Sequence, residues 1–159
     1  MTTWTNADGL LVRFGADRAQ TEFNDGGTSE DIRGLSIVID STNLPALADI
    51  NGDRPSLPAN AVIVDSFLVC NTAWTGTTPT LTIGLGNAAG SAIDADGIDA
   101  AVAVDSVQAA AGDVVANDGA LVDKTASIGS AAAWVYAATG GTVTAGKSTL
   151  YLRYFVPQV

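Results

Sequence analysis

Residues 57–70 read LPANAVIVDSFLVC, and the alternation in this stretch decides how the rest of the chain is read. At the two-residue period of a strand, Val62, Val64, Leu68 and Cys70 point one way with Ser66, while Ala61, Ile63, Phe67 and Val69 point the other with Asp65. A strand with one face in water carries apolar residues on the other face only. Here both faces are apolar. A second sheet is therefore expected over one of them, and either another segment of the chain or a neighbouring subunit over the other. The pattern points to assembly, not catalysis.

The same alternation recurs on both sides of this stretch. In RGLSIVID (33–40), Leu35, Ile37 and Ile39 share a face; in TLTIGLG (80–86), Leu81, Ile83 and Leu85 alternate with Thr80, Thr82 and Gly84. ALVDKTAS (120–127), AAAWVYAA (131–138) and TVTAGKS (142–148) read as further strands, and TLYLRYFV (149–156) sets Leu150, Leu152 and Tyr154 on one side before Pro157 ends it. The three prolines of STNLPALADINGDRPSLPAN (41–60) mark a long loop, and NTAWTGTTP (71–79) reads as a connection. Residues 87–118, rich in Ala, Gly and Asp, read as a surface excursion with room for a short helical piece at 98–111. Seven or eight short strands with irregular connections and no fixed repeat predict an all-β fold, an antiparallel β-sandwich or jelly roll. An extended N-terminal arm is expected over 1–32, where ADRAQTEFNDGGTSEDIR offers little to a core, with the sandwich domain over 33–159.

Composition narrows the function. A chain of 159 residues with 47% hydrophobic and 15% charged residues can bury a core, and no apolar run approaches the roughly 20 residues of a membrane helix. MTTWTNADG lacks a basic region followed by an apolar core, so cytosolic synthesis is expected. Seventeen acidic residues against seven basic ones leave a net charge of −10, which opposes approach to nucleic-acid phosphates; neither a nucleic acid nor a membrane is an expected partner. Fifteen of the acids are Asp, the acid of turns rather than of helix faces.

Chemistry finds little to work with. The chain has no histidine, which removes Ser-His-Asp and Cys-His arrangements and imidazole metal ligands, and its only glutamates, Glu22 and Glu30, lie in the arm. Cys70 sits mid-strand among apolar residues and reads as a buried, inert thiol. No phosphate-binding loop or dinucleotide motif is present, and GLGNAAG (84–90) reads as a loop. DADGID (94–99) has the acids of a calcium loop but places Ile98 where an oxygen ligand is needed and lacks a closing Glu; with ADINGD (48–53) it reads as a solvated turn. No enzyme activity, cofactor or metal is expected. Among the tryptophans, Trp134 reads as core, Trp74 as a loop residue that packs or stacks on a sugar, and Trp4 as an interface anchor.

WTNADGLLVRFG, the pairing of LPANAVIVDSFLVCNTAW with TLTIGLG, and the closing TLYLRYF together resemble the capsid decoration, or cement, proteins of tailed bacteriophages. The resemblance spans most of the chain except 87–118, and it rests on turns and strand patterns rather than chemical signatures. It implies a jelly-roll virion protein made in the host bacterial cytoplasm. Such a protein binds the major capsid protein on the capsid exterior and cements neighbouring capsomers as a homotrimer. On that reading Trp4, Leu10, Leu11, Phe14 and Phe23 of the arm are expected interface anchors, and the arm is expected to order on the capsid. The alternative is a head-fibre or tail-associated jelly roll that holds a host glycan through Trp74.

Overall fold

The computed structural model describes the backbone of Thr2–Thr5 and Leu11–Phe14, together with residues 32–49 and 55–157. The chain forms two compact units, Met1–Asp31 and Ile32–Pro157. In the first, strands β1 (Thr2–Thr5) and β2 (Leu11–Phe14) pair antiparallel.

The second unit is an antiparallel β-sandwich of six strands: β3 (Arg33–Asp40), β4 (Ser56–Leu57), β5 (Val62–Gly86), β6 (Ala92–Ala103), β7 (Val114–Ala116) and β8 (Ala133–Phe155). Its framework is β5 paired along its whole length with β8, from Val62 opposite Phe155 to Gly86 opposite Trp134. Strands of 25 and 23 residues are too long for one flat sheet of a small domain, and both bend where the register shifts, between Cys70 and Thr75 on β5. The bend divides the pair between two layers. In one, the order is β3, the C-terminal half of β8, the N-terminal half of β5, then β7; in the other it is β4, the N-terminal half of β8, the C-terminal half of β5, then β6. Strands that change sheets through bulges make the corners of such sandwiches.

Between the layers lies one core. Ile39, Ile63, Leu68, Leu150 and Leu152 from the first layer meet Leu81, Ile83, Leu85, Val135 and Ala137 from the second. Each large aliphatic side chain so buried contributes about 1.5–3 kcal/mol. The expected inside faces of β3, of TLTIGLG and of TLYLRYF all point here.

Several sequence expectations are corrected. NTAWTGTTP is not a connection, because β5 continues through it across the bend; TVTAGKS and most of AAAWVYAA likewise belong to one strand with TLYLRYF. Conversely, ALVDKTAS forms turns and contributes a single bridge, Val122 to Ile63. Residues 87–118 are structural rather than a surface excursion: they supply β6, a one-turn helix α1 (Val104–Val107) and β7, and send Ile98 and Val104 into the core. In the opening stretch, the register slips between Ile63 and Asp65, which reverses the alternation. Ile63 is thereby buried with Ser66, Leu68 and Cys70, leaving Asp65, Phe67 and Val69 on the outside.

A buried polar chain holds the α1 turn against the strands. Trp74 Nε1 donates to Ser148 Oγ (2.8 Å), whose hydroxyl donates to Gln108 Oε1 (2.8 Å). Gln108 Nε2 reaches the carbonyls of Leu68 (3.4 Å) and Asp113 (3.3 Å), and its own carbonyl accepts from Trp74 N (3.0 Å). The indole lies directly on Gly146, where any Cβ would overlap the ring. We predict that Trp74→Phe, which removes the indole N–H from a buried, satisfied network, costs about 1–3 kcal/mol. Thermal unfolding should show a melting temperature lower by roughly 2–4 °C per kcal/mol.

Candidate interaction surface

The described residues contain no cluster of three or more His, Cys, Asp or Glu side chains placed to hold a metal ion. DADGID is not the solvated turn expected: it lies within strand β6, where the register against β5 shifts between Asp94 and Asp99, Asp94 Oδ1 accepts from Asp96 N (3.4 Å) and Asp99 is buried. ADINGD lies mostly outside the described residues. Cys70 is buried, with its thiol 3.4 Å from the Gln108 carbonyl, and burial pushes its pKa up, aided by the charge of Asp113; it is a packing residue.

Trp74 does not lie in a loop or at the surface. Only 2% of it is exposed and its N–H is taken by Ser148, so the glycan alternative loses its stacking residue. Trp134 is half-buried, and its buried Nε1 has no hydrogen-bond partner among the described residues. Of the expected arm anchors, the β1–β2 register sets Trp4 opposite Val12, Leu11 opposite Thr5 and Phe14 opposite Thr2. Leu10 and Phe23 lie outside the described residues.

The outer face of the layer β3–β8–β5–β7 is the surface that stands apart. Residues paired directly across a ladder share a face, so its rows follow from the register. One row is Ser36, Tyr151, Phe67 and Ala116; the next is Val38, Thr149, Val69 and Val114. Val38 is 50% exposed, Val114 61% and Tyr151 41%, and the Phe67 and Tyr151 rings stack with centroids 5.4 Å apart. A shallow apolar groove of about 320 Å³ runs between Ser36, Phe67, Tyr151 and Arg153. Sequence reasoning flagged Phe67 and Val69 but missed Val38, Tyr151 and Val114. Its available signal was an aromatic and a β-branched residue at the off-face positions of TLYLRYF and RGLSIVID.

Two cross-strand ion pairs bracket this patch. Arg153 forms a two-bonded pair with Asp65 at one end, its Nε donating to Oδ1 at 2.8 Å, and Lys147 stands 3.3 Å from Asp40 at the other. Arg153 holds the Asp65 carboxyl below its usual pKa, and hydrogen bonds from Thr42, then Lys147, lower that of Asp40. The patch is therefore neutral, whereas residues 94–124 carry seven aspartates and one lysine.

Comparison with solved structures finds this architecture in phage capsids. A chain of the capsid of Ralstonia phage GP4 matches with a TM-score of 0.53 and 21% identity, over 86% of this chain and 91% of that one. A chain of the capsid asymmetric unit of cyanophage Pam1 matches with a TM-score of 0.52 and 20% identity, over 96% and 98%. At this identity the likeness establishes a shared fold. No protein-family model and no curated protein matches the chain.

One titratable group stands out away from the patch. Asp99 is 3% exposed, and burial, followed by the charge of Asp118, raises its pKa to about 6. Because the folded-state value lies above that of the unfolded chain, protonation contributes stability that is complete below pH ~4 and is lost as pH rises through ~6. We predict that Asp99→Asn, which keeps the shape of the side chain without its charge, raises stability at pH 7 by roughly 1–3 kcal/mol and removes this slope. Urea unfolding at pH 4.5 and 7 checks both.

Proposed function

We propose that this chain is a non-enzymatic virion structural protein that binds the outside of a phage capsid and cements neighbouring capsomers. The observation that carries the reading is a fold shared, over nearly the full length of both partners, with chains of two phage capsids. The strand order supports its jelly-roll form. With β5 and β8 each divided at the bend, the eight segments of the sandwich pair first with eighth, second with seventh, third with sixth and fourth with fifth. One long hairpin wrapped on itself gives that pattern, and the β5–β8 contact closes it.

Cementing requires no reaction. A protein bound across a seam adds its contacts to those that must break before capsomers part, so the shell gains stability by binding linkage. Trp4, Leu10, Leu11, Phe14 and Phe23 of the arm are the proposed apolar anchors to the major capsid protein. Three arms on the trimer that the resemblance implies would bind with avidity. A net charge of −10 suits an exterior position, where packaged DNA does not have to be approached.

Co-sedimentation with shells of the major capsid protein from the same genome, before and after expansion, tests this. Saturable binding to expanded shells is expected, weakened at least tenfold when residues 1–31 are deleted. Absence of binding to either shell contradicts the cement reading, and undiminished binding of the deletion contradicts the role of the arm.

A further inference from the structure

We propose that the outer face of β3–β8–β5–β7 packs against the same face of a second copy of this chain, across a two-fold axis running along the strands between β8 and β5. The inference deepens the structural reading above and rests on it for its setting, but the residues of the face argue for it directly. Such an axis lays β8 of one copy over β5 of the other and β3 over β7. Applied to the observed register, it sets Tyr151 on the second copy's Phe67, Thr149 on Val69, and Val38 on Val114. The aromatic pair and the Val38–Val114 pair then meet apolar partners, and Val69 packs on the methyl-bearing Thr149. Arg153 of each copy meets Asp65 of the other, so the ion pair within each chain becomes half of a four-charge cluster across the contact.

An isologous contact requires a patch that complements itself, and this face does. A cyclic trimer built through it would instead set it against a different patch of the next chain. Charge favours the same face. Two copies of a chain with net charge −10 repel each other, and here the charges cancel, with Asp65 and Asp40 offset by Arg153 and Lys147. Three strands about 4.8 Å apart, each crossed by about six residues at 3.4 Å, with the three residues of β7 along one edge, give a face of roughly 15–20 by 20 Å. That is smaller than the ~800 Å² per partner of a standard interface, so the pair should dissociate on dilution. Because repulsion between the acidic bodies opposes an apolar contact, association should strengthen with added salt.

Analytical ultracentrifugation of the purified full chain, from about 5 to about 500 µM, reads the assembly directly. The expected result is a reversible, concentration-dependent doubling of the species present at low concentration, whether that is a single chain or the trimer proposed above, weakened tenfold or more by Tyr151→Asp while the protein stays folded by circular dichroism. The two-fold geometry has its own test in charge exchange. Asp65→Arg and Arg153→Asp each place like charges across the contact and should not self-pair, yet mixed one to one they restore opposite charges at both positions and should pair with each other. A species whose size does not change over the whole range, a doubling that Tyr151→Asp leaves intact, or charge variants that fail to pair on mixing would overturn the proposal. Shell binding is judged separately by co-sedimentation, so failure here is distinguishable from failure of the cement reading.

Discussion

The pairing of β5 with β8 is the constraint on which the rest of the structure depends. The pair is continuous from Val62 to Gly86 and contributes the two central strands of both layers, so the bend between Cys70 and Thr75 fixes how the layers face each other. Everything else is added at its edges. Strands β3, β4, β6 and β7 each pair with β5 or β8, and the polar chain from Trp74 through Ser148 to Gln108 fastens the α1 turn close to the bend. Non-local pairing of this kind closes long loops before contacts repay the entropy, which places the fold among slow-folding topologies.

Periodicity carried the strands whose alternation is undisturbed. RGLSIVID, TLTIGLG and TLYLRYF were legible because a two-residue period sorts their side chains without knowledge of the partner strand. The failures have local physical causes. The register slip between Ile63 and Asp65 is invisible to a period count, and it moved Ile63 to the inside. The Thr- and Gly-rich bend looked like a loop because glycines and threonines serve both turns and bulged strands. Residues 87–118 looked peripheral because their small side chains suggested weak packing. Their fastening comes from Gln108, a polar residue whose partners lie 40 positions away in the sequence.

The surface was half legible. The apolar residues on both sides of residues 61–70 announced that a second face needed cover, and the structure places Phe67 and Val69 on it beside Tyr151, Val38 and Val114. What the sequence could not supply was the balance of charge, because Asp65 meets Arg153 only through a pairing 88 residues apart. That balance gives an acidic chain one neutral, apolar face. This face is broad, shallow and built from side chains suited to contact. It fits the proposed structural role.

The central claim is that this face is covered in the assembled state. Hydroxyl-radical footprinting of Tyr151, 41% exposed in the single chain, compares its reactivity in dilute protein and on decorated shells. The account predicts strong protection of Tyr151 on the shells. Equal modification in both states would contradict it.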